Sequence, residues 1–132
     1  MLKDRYGNTL TTESDAARDA YIDGVDLFLS GNAGSEEAFR RAVEADQNLA
    51  VAHVGIARYR ILMADRPGAA AAIQDARNAT GQSEREVSHT EAFGRLIDGD
   101  GPGGYTAIRA HVLEYPRDVM IAQTCTLSLI HI

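Results

Sequence analysis

Along residues 49–76, LAVAHVGIARYRILMADRPGAAAAIQDA, apolar side chains recur every three to four positions, break at Arg66-Pro67-Gly68, and then resume. That spacing is the helical period. It predicts a helix, a tight turn at Arg66-Pro67-Gly68, and a second helix folded back on the first. The first of these, about 49–64, is apolar on most sides, with Val51, Val54, Ile56, Ile61, Leu62 and Met63. Such a helix needs neighbours on several faces. Pro67 suits an opening helical turn, where its missing N–H would be unpaired anyway. The second helix is predicted to run to about 79.

The same pattern stands on both sides. Upstream, Ala17, Ala20, Tyr21, Val25, Phe28 and Leu29 predict a helix over 15–30, capped by Thr12 or Ser14 and stopped by Gly31-Asn32-Ala33-Gly34. Ser35 is expected to cap a second helix, with Glu36 and Glu37 in its first turn and an apolar line of Ala38, Phe39, Ala42 and Val43; Asp46-Gln47-Asn48 ends it. Downstream, Thr80-Gly81-Gln82 breaks the chain, and Ser83 with Glu86 forms a capping-box pattern for a helix over 84–98. Residues 98–104, DGDGPGG, predict a Gly-rich connector, followed by a helix over about 104–115 that Pro116 ends. Asp118 is placed to cap a seventh helix beginning VMIAQTCTL. Residues 1–12, with a turn at Gly7-Asn8, are predicted to be extended or irregular.

Side-chain size repeats with this pattern. In the second helix of each pair Ala42, Ala76 and His111 are separated by 34 and 35 residues (76 − 42 and 111 − 76). Three positions earlier lie Phe39, Ile73 and Ile108; seven earlier lie the small Ser35, Ala69 and Gly104. In the first helices Gly24, Ala57 and Ala92 are again small, 33 and 35 residues apart (57 − 24 and 92 − 57). Small residues where helices cross let the backbones approach, and a large neighbour fills the groove beside them. The fold expected is all-α: a right-handed α-solenoid of about three helix pairs (15–46, 49–79 and 84–115) plus the start of a seventh helix.

A period near 34 with helix–turn–helix content is similar to the tetratricopeptide repeat. The middle unit matches best. The first is one residue short in its turn and has Gln47 where Pro116 ends the third; the third has His111 where Ala is usual. A narrower set, Asp4, Tyr6-Gly7, Leu10-Thr11-Thr12, Ser83-Glu84-Arg85-Glu86 with His89, Gly99-Asp100 and Tyr115-Pro116-Arg117-Asp118, resembles the tetratricopeptide repeat protein 38 family. That resemblance implies the helical fold and a natural chain continuing into more helices. It carries no activity over to any residue.

Composition adds boundaries. Apolar residues make up 45% and charged residues 24% of the chain, as in globular domains. We divide it into a lead-in segment 1–14, a helical repeat domain 15–127, and a tail 128–132, in which the LSLIHI ending reads as truncated or foreign. A net charge of −6 and a pI near 5.1 argue against nucleic-acid binding, which favours a basic face. Cys125 is the only cysteine, so no internal disulfide forms. MLKDRYGNTL lacks a signal-peptide core, and no apolar run reaches the ~18 residues that span a bilayer. The expectation is a cytoplasmic protein with no membrane association.

Chemical motifs are sparse. Gly99 to Gly104 spells G-x-G-x-x-G, but a helix precedes it where a dinucleotide site needs a strand. The Asp98-x-Asp100 of a calcium loop lacks its later ligands, since Pro102 and Arg109 stand there. His89-Thr90-Glu91 is an H-x-E, but a zinc deaminase also needs C-x-x-C. His53, His89 and His111 are assigned to helices of different units and could meet only through folding; a structural or surface role is expected for each. Cys125 reads as a small apolar residue. No residue is assigned to catalysis, a cofactor or a metal. The candidate binding surface is the concave groove lined by first helices, with Arg18, Tyr21, Arg58, Glu86, His89 and Phe93. It lacks the Lys/Asn set that clamps a C-terminal carboxylate. The function expected is a non-enzymatic interaction scaffold for a protein or peptide, with self-association through the open C-terminal end as a further possibility. The alternative is the N-terminal arm of a larger helical protein whose groove binds a small molecule or supports catalysis.

Overall fold

The computed structural model of the chain describes the backbone of residues 1–130 and the side chains of residues 1–125. A short hairpin, β1 (Leu2–Lys3) and β2 (Thr9–Leu10), precedes seven helices: α1 (Asp15–Ser30), α2 (Ser35–Ala45), α3 (Ala50–Leu62), α4 (Arg66–Asn78), α5 (Glu84–Ile97), α6 (Gly101–Glu114) and α7 (Val119–Ile130). The fold is all-α apart from that hairpin, and among the described residues no helix is long and apolar enough to cross a membrane. The strands run antiparallel, with Leu2 opposite Leu10. Asp4 shapes their turn: its Oδ1 accepts from the N–H groups of Tyr6 and Asn8, each at 2.9 Å.

Consecutive helices pack as α1 on α2, α3 on α4 and α5 on α6, and each pair packs on the next. The first helices also touch in series, α1 to α3, α3 to α5 and α5 to α7. The small positions lie inside these contacts: Gly24, Ala57 and Ala92 in the first helices and Ser35, Ala69 and Gly104 in the second are all buried. Phe39 explains two of the glycines. Its ring is fully buried, and a Cβ added to Gly24 on α1 would stand 2.6 Å from it, and one on Gly55 of α3 2.7 Å from it. Neither position can carry even a methyl group unless the ring moves. Gly24→Ala is therefore expected to destabilise the fold by about 1–2 kcal/mol, the strain outweighing alanine's better helix propensity; urea unfolding of the two chains checks it.

Side-chain caps open α1, α4, α5 and α6. Ser14 begins α1 by accepting from the Ala17 N–H at 3.1 Å. Ser83 and Glu86 form the predicted capping box at α5. Three predicted boundaries are corrected. The turn between α3 and α4 lies at Met63–Asp65, where Ala64 has φ 59°, and Arg66-Pro67-Gly68 is already helical. The Gly-rich connector is mostly the first turn of α6, which starts at Gly101. Both shifts have one cause: Asp65 accepts from the Gly68 N–H at 3.0 Å and Asp100 from the Gly103 N–H at 2.9 Å, so a D-x-P-G sequence opens each helix. Ser35 does not cap α2. Gly34, at φ 101°, takes that place, and Ser35 is drawn inside as the small residue of the crossing. The tail reading of 128–132 falls on side chains outside the described residues, as do 131–132 altogether.

Candidate functional site

The polar centre of the molecule lies where α5, α6 and the start of α7 meet. The segment Glu84-Arg85-Glu86-Val87-Ser88-His89 turns Arg85, Glu86 and His89 inward, because residues at i, i+1 and i+4 share a helix face. Glu86 is fully buried yet well satisfied. Its carboxylate accepts from the Ser83 N–H at 3.2 Å and the Ser83 hydroxyl at 2.9 Å, and from the Thr11 N–H at 3.1 Å and the Thr11 hydroxyl. One capping residue thereby fastens the lead-in segment to the third helix pair, with its charge at the positive end of α5.

Asp118 is the hub. It occupies the position before α7, its carbonyl accepting from the Ala122 N–H at 3.0 Å. Its carboxylate points into the core, where Oδ2 accepts from Arg85 Nη1, His89 Nδ1 and His111 Nε2, each at 2.8 Å. An ionised carboxylate only accepts, so His89 carries a proton on Nδ1 and His111 one on Nε2. Ser88 Oγ lies 2.7 Å from His111 Nδ1 and fixes that ring from behind. Arg85 also donates from Nη2 to the Thr9 carbonyl at 2.9 Å, while its Nε is buried without a partner. Burial alone would raise the Asp118 pKa, but the pull of His89, His111 and Arg85 outweighs it and holds the carboxyl well below its ordinary range. For His89 burial wins over the attraction of Asp118, and its pKa is lowered.

A second buried contact ties α7 to the middle of the molecule. The Arg58 guanidinium sits 4.7 Å from the Phe28 ring centroid and 5.4 Å from that of Phe93. It donates to the Met120 carbonyl and to Gln123 Oε1. Burial lowers its pKa to about 10, so it stays cationic at neutral pH.

These contacts locate the six residues expected to line an open groove. Tyr21, Arg58, Glu86, His89 and Phe93 are all buried, and Arg18 is the partly exposed one, paired with Asp15 and Asp19. The lead-in segment meets Glu86 through Thr11 and Arg85 through Thr9, while α7 meets Arg58 through Met120 and Gln123. Tyr21 packs on Phe39, and burial raises its pKa, so it stays a neutral phenol.

The histidine assignment is also corrected. His89 and His111 belong to the same pair, α5 and α6, and do meet, with ring centroids 6.0 Å apart. Among the described residues, His89, His111 and Asp118 bring one ligating atom each within 4.8 Å of one another. The signal was present in the repeat: His111 stands where the other units have Ala42 and Ala76, and an imidazole in a small, buried slot needs a polar partner. His53 stays apart, with Nε2 on the Gln47 carbonyl at 2.8 Å. It borders an open cleft of about 520 Å³ whose walls include Glu44, Asp75, Asn48 and Asn78.

Comparison of the chain with protein-family models, with curated proteins and with solved structures returned no match.

Proposed function

We propose that this chain is a tetratricopeptide-type right-handed solenoid, resembling the N-terminal part of the tetratricopeptide repeat protein 38 family, and that it acts in the cytoplasm as a non-enzymatic scaffold for a protein or peptide. The observation that carries the reading is the serial contact of α1, α3, α5 and α7, each with its own second helix packed beside it up to α6. Stacked pairs of this kind present extended surfaces rather than a single enclosed pocket. The inner face is occupied by the chain's own lead-in and α7, so the docking surface in this reading is the open cleft at the junction of the first two pairs. Glu44 and Asp75 stand there without ion-pair partners among the described residues, which suits a cationic peptide side chain. The small-molecule or catalytic alternative would draw on the His89–Asp118–His111 cluster, but those side chains are at most 4% exposed and a substrate needs access.

The test is binding of the purified chain to an array of basic and acidic peptides. Basic peptides are expected to bind, with at least a tenfold loss when Glu44→Gln and Asp75→Asn are combined, as for rim charges that steer and hold a partner. Binding of no peptide, or binding indifferent to both substitutions, overturns the reading.

A further inference from the structure

We propose that His89, His111 and Asp118 form a site for one divalent transition-metal ion of the zinc type, held between α5, α6 and the start of α7. The three ligating atoms come from different elements, converge within 4.8 Å, and belong to side chains buried to 4% exposure or less. Two imidazole nitrogens and a carboxylate oxygen suit zinc(II), cobalt(II) or iron(II). They do not suit calcium or magnesium, which take oxygen ligands, and there is no thiolate to select copper(I).

Metal entry rearranges the cluster: its three ligating atoms lie within 4.8 Å of one another, and the widest separation has to close to the spacing of a tetrahedral shell. Both ring nitrogens are 2.8 Å from Asp118 Oδ2, and two ligands each ~2.0–2.1 Å from a tetrahedral ion stand about 3.3 Å apart. Each contact therefore opens by about half an ångström as the ion replaces the shared protons. The protons balance without loss from the rings: each imidazole moves its hydrogen from the ligating nitrogen to the other one. His111 Nδ1 then donates to Ser88 Oγ, which had donated to it, so the serine orients the ring in both states. Arg85 on the same carboxylate adds an unfavourable positive charge. Affinity is accordingly below that of a closed four-ligand protein site. The ion would pin the beginning of α7 to the third helix pair, a consequence independent of any peptide docking at the cleft, which shares no residue with this site.

The experiment uses the full chain, stripped with chelator and titrated with cobalt(II) and then zinc(II). The readouts are the visible cobalt spectrum, the metal-to-protein ratio after gel filtration, and the melting temperature at increasing zinc. One cobalt per chain is expected, displaced by one zinc, with a zinc-dependent rise in melting temperature. His111→Asn is expected to abolish uptake. Ser88→Ala, which leaves all three ligands in place, is expected to weaken it by roughly tenfold, as loss of an orienting partner does; this variant decides the matter if His111→Asn does not fold. His53→Ala is expected to keep full uptake. No stoichiometric uptake by the folded wild-type chain overturns the proposal. So does uptake unchanged by both His111→Asn and Ser88→Ala, which would mark an adventitious ion only.

Discussion

Asp118→Ala is expected to destabilise the metal-free chain by about 3–5 kcal/mol, the loss typical when one partner of a buried charge pair is deleted. Three donors converge on its Oδ2, and all three side chains are buried. Arg85 is the decisive one, because a guanidinium stays charged and would be left in the core with only the Thr9 carbonyl. Urea unfolding measured by circular dichroism gives the number. A loss under about 1 kcal/mol would mean that the cluster is hydrated and the carboxylate is not its centre. Acid titration in chelator gives a second reading. Asp118 has a folded pKa below its unfolded value, so its contribution is present above about pH 4 and lost as pH falls below that. His89 is also lowered, so the unfolded chain takes up its proton first and stability begins to fall below about pH 6.5. Both act in the same direction. The wild-type chain should lose stability from mildly acidic pH downward; the Asp118→Ala chain should keep the His89 part of that loss, which Asp118 opposes, and lack only the part below about pH 4.

What the sequence made legible follows from local physics. Ser14 and Ser83 mark helix starts because a side-chain oxygen three residues before an unpaired N–H is a local device. Gly24 marks a crossing because Phe39 leaves no room for a Cβ there, and Ala57 and Ala92 are buried at the matching positions of α3 and α5. The residues that escaped depend on direction and on distant partners. Asp118 sits where a cap belongs, and nothing in its neighbours says that the carboxylate turns to His89, 29 positions earlier. Two-residue strands such as Leu2–Lys3 show no alternation to read. The candidate binding residues Arg18 and Tyr21 stand on α1, Arg58 on α3, and Glu86, His89 and Phe93 on α5. The burial of Glu86 and Arg58 was not legible, because it comes with contacts to Thr11, Met120 and Gln123, which lie outside the three pairs.

Phe39→Ala is expected to cost about 3–5 kcal/mol, the range for emptying a buried aromatic site. The ring fills a place built by two glycines on different helices, Gly24 of α1 and Gly55 of α3, and it meets Tyr21 with centroids 5.9 Å apart. Its removal leaves a hole at the junction of the first two pairs, which backbone collapse closes only in part. Because total stabilities of such domains are about 5–15 kcal/mol, the variant is expected to stay folded but to unfold at far lower urea. Phe39→Leu, which keeps much of the volume, should cost less than half as much, since volume-conserving swaps cost under about 1.5 kcal/mol. The sharper test is a change of sign at Gly24. In the wild-type chain an added methyl meets the ring at 2.6 Å and destabilises. Without the ring the same methyl enters empty space and gains the helix propensity of alanine, about 1 kcal/mol. Gly24→Ala should therefore stabilise the Phe39→Ala chain while it destabilises the parent, a coupling that a double-mutant cycle reads directly. If Gly24→Ala destabilises both chains equally, the two positions are not in contact, and the packing logic drawn from the recurring small residues fails at its best-defined point.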